Sequence, residues 1–193
     1  MKSDPLFEGN WVRLTGMNLE RDPAVETRLS ADLEYARQVR EQPLRPLSAF
    51  ELKKHHEEAL KEAVKTGNTF YFVLRRRDKE EMIGFLRIAS IEWTHGAARM
   101  DLAITGDAAD RRECLYDALH LALKYSFEEL NLHHLAAILP EYDENSIALY
   151  REQGFSIEVC RRQLFFRANR YWDGFHFGIL RAEWKALQEE QAK

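Results

Sequence analysis

Apolar and polar positions alternate along Trp11-Val12-Arg13-Leu14-Thr15, the two-residue period of a half-buried strand. The Asp22-Pro23 step then opens a polar stretch that predicts one helix to about Arg40, ended by Pro43 and Pro46. Ser48 followed three positions later by Glu51 has capping-box spacing, which predicts a helix running to Gly67. Residues 70–74 and 82–93 are rich in aromatic and branched side chains, and the charged stretch 75–81 between them reads as a solvated hairpin turn. A third strand follows over 97–105.

The period then changes. Leu115, Ala118, Leu119, Ala122, Leu123, Ser126, Phe127 and Leu130 recur at helical spacing, so a helix over 112–130 turns one apolar face to the sheet. Residues 135–139 form a short buried strand, and residues 143–153 a short helix stopped by Gly154. Two closing strands over 155–167 and 171–180 precede a polar helix around Trp184. Strands that first meander and then alternate with helices predict an α/β fold: a mixed, twisted sheet of about seven strands flanked by helices.

Composition narrows the function class. At 193 residues, 45% hydrophobic and 31% charged, the chain has the apolar content for one buried core, and a single domain over 1–193 is expected. A net charge of −4 leaves no global basic field for a phosphate backbone, so nucleic acid is not an expected partner. Cys114 and Cys160 are the sole cysteines, which suits a reducing, cytoplasmic setting. Met1-Lys2-Ser3-Asp4-Pro5 has no apolar leader, and no run approaches the ~18 residues of a membrane span. The adjacent pairs His55-His56 and His133-His134 cannot both face one ion from a regular element, so no metal site is expected.

Residues 125–135, reading YSFEELNLHHL, and 146–155, reading SIALYREQGF, resemble the GNAT superfamily of acyl-CoA-dependent N-acetyltransferases. The nearest branch looks like the ribosomal-protein N-terminal acetyltransferases, to which Tyr171-Trp172-Asp173 and residues 180–184 are similar as well. The resemblance implies acetyl-CoA as co-substrate, a pyrophosphate site at a helix N-terminus, a parting of the sheet for the pantetheine arm, and a proton donor for the departing thiolate.

Carried over residue by residue, the resemblance puts the pyrophosphate loop on Asp110-Arg111-Arg112-Glu113-Cys114-Leu115. The family's Gln/Arg-x-x-Gly-x-Gly/Ala pattern is altered there, with Asp110 leading and Glu113 and Leu115 in place of the glycines. Arg111 and Arg112 offer charge to offset the repulsion from Glu113. Alternatively they are simply a solvated first turn. Asp143 stands where the family carries an Asn that donates to the cofactor; an ionised carboxylate only accepts, and capping the short helix is its competing role. The pantetheine arm is expected beside Ala103 and Ile104.

Tyr150 occupies the position of the family's thiolate-protonating tyrosine, with a core tyrosine beside Phe155 as the competing reading. Glu92 and Asp101 are the carboxylates to inspect as a base toward the amine, and Glu92 is the one selected. The expected activity is acetyl transfer to a primary amine, on a small molecule or a peptide N-terminus, with a homodimer as a candidate assembly. The alternative is a degenerate domain that binds a ligand or partner without transfer. Acceptor identity is not written in these motifs.

Overall fold

The computed structural model describes residues 5–39, 45–105 and 108–191. Strands β1 (Val12–Thr15), β2 (Phe70–Arg76), β3 (Met82–Glu92), β4 (Ala97–Ile104), β5 (His134–Pro140), β6 (Ser156–Arg167) and β7 (Arg170–Leu180) form one sheet in the order β1-β2-β3-β4-β5-β7-β6. All neighbours are antiparallel except β4 and β5, which are parallel. Helices α1 (Asp22–Leu29), α2 (Leu33–Val39), α3 (Ala49–Thr66), α4 (Ala108–Lys124), α5 (Glu144–Glu152) and α6 (Arg181–Gln191) complete the order.

Side-chain alternation assigns the helices to opposite faces. Phe72 on β2 meets Tyr125, just after α4, with ring centroids 4.9 Å apart. Its register partner on β3 is Leu86, so the next residue, Phe85, points the other way, toward His56 of α3 at 6.5 Å. The α4 face is the main core, where Ala118, Leu119, Ala122 and Leu123 lie against Leu86, Ile88 and Met100, all fully or almost fully buried.

The helix predicted over 22–40 is two helices. Ser30 ends α1, and Asp32 restarts the chain by accepting from the Tyr35 amide at 3.4 Å, an N-cap that outweighs continuation. Arg40 and Pro43 lie outside the described residues. The Ser48–Glu51 capping box is present, and Gly67 ends α3 at φ 65, where a side chain would be strained.

The helix predicted over 112–130 differs at both ends. It begins at Ala108 and passes into a π-turn over Tyr125–Glu129. Leu130 N–H there donates to the Tyr125 carbonyl at 3.0 Å. The wider turn directs Tyr125 into a cluster with Phe7, Phe70 and Phe72, while Phe127 meets Trp184 of α6 at 5.5 Å. The stretch predicted as a solvated turn begins two residues late, because β2 runs on through Arg75 and Arg76, and both arginines are paired. Arg75 pairs with the buried Asp22 at 2.8 Å, and Arg76 bridges Asp78 and Asp110.

No helix among the described residues is long and apolar enough to cross a membrane.

Candidate active site at the fork in the sheet

The parallel pairing of β4 with β5 lasts for Ala97↔His134, Ala98↔Leu135 and Arg99↔Ala136, and then the strands part. Beyond Arg99, β4 stays bonded to β3 as far as Ile104, and beyond Ala136, β5 stays bonded to β7 as far as Pro140. Each prong therefore keeps one paired edge and presents the other to the gap. An edge of unsatisfied N–H and C=O groups is what an extended ligand with amide groups can pair with. Ala103 and Ile104 lie on the β4 prong, where the pantetheine arm was expected.

Two functional groups flank the crotch from opposite faces. Asp101 lies two residues past the last pair and shares its face with its β3 partner Arg87. Arg87 Nη2 is 2.6 Å from Asp101 Oδ2, and Arg99 Nε is 3.3 Å from Oδ1, so the carboxylate is held in a fixed orientation. On the α4 face, Tyr150 of α5 packs on Phe155 and Phe177 at 5.0 and 6.1 Å.

The Tyr150 phenol is pushed far above its ordinary range, first by burial and then by the charges of Asp101 and Asp143. A phenol so reluctant to ionise keeps its proton in the resting protein, where its O–H is a potential hydrogen-bond donor.

Glu92 is exposed and pairs with Ala97, at the joined end of the fork, and its carbonyl closes the β3–β4 turn by accepting from the His95 and Gly96 amides. The structure does not bring it to Tyr150. Asp101 is the carboxylate at the crotch, and its signal was visible: a lone charge in the middle of the apolar strand Met100-Asp101-Leu102-Ala103-Ile104.

The altered phosphate loop is also resolved. With α4 starting at Ala108, its free N–H groups are those of about the first four helical positions, one turn before Glu113, Cys114 and Leu115. Cys114 and Leu115 are 3% and 4% exposed and face the core, which places their side chains away from the mouth. Burial raises the Cys114 thiol, so it is not an activated nucleophile. Arg111 Nε donates to the Ile104 carbonyl at 3.2 Å, and Arg112 forms a bidentate pair with Glu152 at 2.7 and 2.8 Å. Glu113 has one carboxylate oxygen buried without a hydrogen-bond partner. Asp143 caps α5, accepting from the Ser146 amide at 3.2 Å.

A carboxylate at Glu113, one turn beyond the free N–H groups of α4, would repel a polyphosphate bound there. Glu113→Gln is therefore expected to lower the acetyl-CoA dissociation constant by up to about ten-fold, measured by calorimetry. An unchanged or raised constant would place the phosphates away from this turn.

Residues 12–156 match the family model described as an acetyltransferase (GNAT) domain. The chain belongs to the GNAT family. Spermidine N(1)-acetyltransferase of Escherichia coli K12 is 27% identical over 106 residues, 55% of this chain and 56% of the relative. The match thus spans about half the length of that curated relative. A crystal structure of spermidine N-acetyltransferase from Vibrio cholerae with CoA and spermine superposes with a TM-score of 0.75 at 23% identity, covering 90% of this chain and 98% of the other. A candidate ribosomal-protein-serine acetyltransferase from the same organism superposes with a TM-score of 0.68 at 19% identity, covering 93% and 99%. These structural likenesses establish the GNAT fold, and the forked sheet is the part of it that bears on chemistry.

Proposed function

We propose that this protein transfers an acetyl group from acetyl-CoA to a primary amine, a small-molecule amine being the leading acceptor class. The observation that carries the reading is the fork itself, with Asp101 on one face of its crotch and Tyr150 on the other. Bound acetyl-CoA supplies the activated acyl group as a thioester. The chain's residues then do three things. The free edges of β4 and β5, including Ala103 and Ile104, hold the extended arm by backbone hydrogen bonds. The start of α4, with Arg111 and Arg112 one turn in, favours the phosphates through its dipole and charge. These groups fit an extended acyl-CoA, although no glycine opens the cradle.

Asp101 orients the incoming amine and receives one of its N–H groups, its own position fixed by Arg87 and Arg99. A primary alkylamine resembles a lysine, near 10.4, so it arrives mostly as an ammonium and must give a proton to Asp101 or to solvent before its lone pair can attack. Tyr150 donates its hydrogen bond toward the leaving sulfur from the opposite face. The small-molecule reading is supported by two of the similar proteins, which are spermidine acetyltransferases by name.

The test has two parts on the full chain. Acetyl-CoA at a hundred times its dissociation constant should stabilise the fold by ~2.7 kcal/mol in thermal unfolding. Free thiol should be released when a panel of amines is added. Stabilisation without thiol release from any amine would leave a binding domain; no stabilisation would remove the fork as an acyl-CoA site.

A further inference from the structure

Rows of side chains cross the sheet through the strand registers. Tyr71, Arg87 and Asp101 are partners across β2, β3 and β4 and share one face. On β5, Ile138 lies two residues past Ala136, as Asp101 lies two residues past Arg99, so the two stand level across the gap on that same face. The row continues through His176 of β7, the partner of Ile138, to Val159 of β6, the partner of His176. The opposite faces of β5 and β7 carry Leu135, Ala137, Leu139, Phe177 and Ile179 and belong to the main core. His176 is therefore one strand in from the gap, on the Asp101 side, between two apolar neighbours.

The local sequence encloses the ring on one side. Gly174 and Gly178 precede and follow it on its own face, and β6 side chains fold onto both: a Cβ at Gly174 would collide with Leu164, and one at Gly178 with the Glu158 carboxylate. Between them the imidazole is half-buried, with Nε2 enclosed and without a hydrogen-bond partner, which leaves Nδ1 as the nitrogen for a ligand. An imidazolium carries a proton on both nitrogens, and the one on Nε2 would be enclosed unpaired. Burial, and then the charge of Arg161, push the ring below its ordinary range, opposed by Glu158. Glu158 is itself engaged by His134 Nε2 at 2.9 Å, and across the gap both Asp101 oxygens lie against guanidinium groups of Arg87 and Arg99. The resting ring is thus a neutral imidazole, and the row holds one carboxylate suited to orient an amine and one ring nitrogen suited to take a proton.

We propose that His176 is the general base of the transfer, its Nδ1 taking the proton that the amine nitrogen sheds as it bonds the acetyl carbon at the fork. The inference rests on the acetyl-transfer reading, since it concerns the same reaction. The amine reaches its neutral form by losing a first proton. When its lone pair then forms the C–N bond, the nitrogen becomes cationic and far more acidic than the parent ammonium, so a weakly basic imidazole suffices to remove one of its two remaining protons. The C–S bond breaks with its electron pair on sulfur. The imidazolium returns its proton to solvent, and the thiolate takes one from solvent, which leaves the amide, free thiol and a neutral His176.

The experiment follows kcat/KM against pH on the full chain, with acetyl-CoA and 1,4-diaminobutane, or whichever amine of the panel releases thiol. In wild type, log kcat/KM should climb by about one per pH unit where only the amine must lose a proton, and by about two below the imidazole's titration, with the break below about pH 6.5. His176→Gln should lower kcat/KM at neutral pH by roughly 10²–10⁴ and climb by one per pH unit throughout, with the acetyl-CoA affinity and melting curve of wild type. A variant that keeps the wild-type rate, or loses rate and keeps the break, overturns the proposal. Should the variant not fold, an NMR titration of the His176 ring in wild type decides, because the break must coincide with that ring's own ionisation, and a break elsewhere overturns the proposal too. Thiol release from no amine removes the acetyl-transfer reading and this one with it; thiol release without any break overturns the base assignment alone.

Discussion

Tyr150→Phe is expected to lower turnover by roughly 10²–10³ with little change in acetyl-CoA affinity, the effect of deleting one preorganised donor at a site of developing charge. The ring stays packed against Phe155 and Phe177, so the change removes the hydroxyl and little else. Because burial and the Asp101 and Asp143 charges hold the phenol protonated well above its usual range, the wild-type rate should show no alkaline limb near pH 10 from this group. Single-turnover rates and melting curves on the same variant decide between the site and the core. Wild-type turnover with a melting temperature lowered by the loss of a buried hydroxyl, worth ~0.5–1.5 kcal/mol, would assign Tyr150 to packing alone.

The largest expected effect on stability is remote from the fork. Asp117 of α4 is 6% exposed and accepts from three successive backbone amides, those of Asn10, Trp11 and Val12, at 3.1, 2.7 and 2.9 Å. It fastens the first strand, the outer edge of the sheet, to the helix beneath it. Gly9 lies so close that a Cβ there would collide with the same carboxylate. Asp117→Ala leaves the buried Val12 amide without a partner and strips the other two of a charged acceptor. Each buried unpaired donor costs ~1–3 kcal/mol, and the two partly solvated amides recover part of theirs from water, so a loss of ~2–4 kcal/mol is expected. Against a typical total of ~5–15 kcal/mol, urea unfolding should show a clear fall in the midpoint. A change below ~1 kcal/mol would mean that water replaces all three bonds.

Much of the architecture was legible because it depends on local period. The alternation in residues 11–15, the capping box at Ser48 and the apolar face from Leu115 to Leu123 all became the elements they predicted. Boundaries failed where a local contact competes with period. Asp32 split the helix over 22–40, and the π-turn at Tyr125 answered to aromatic partners on β2 and near the N-terminus that lie more than fifty residues away in sequence. For the candidate site, motif named Tyr150 and the β4 prong, and the choice of Glu92 over Asp101 was made without the point where β4 and β5 separate, which strand position alone does not show.

What the sequence by itself determined is the set of elements, their order, and the chemistry available on each, since hydrophobic period and capping act within a few residues. The GNAT resemblance added the pairing of that order with a forked sheet. Tertiary structure alone decided the rest. Where the β4–β5 ladder stops, that Asp101 is fixed by Arg87 and Arg99, and that Asp117 holds the first strand all depend on residues distant in the chain meeting across it. The first turn of α4 belongs with these, because Arg76 at the end of β2 pairs with Asp110 there. Charge and burial at a site are properties of neighbours in space, and period along the chain carries no record of them.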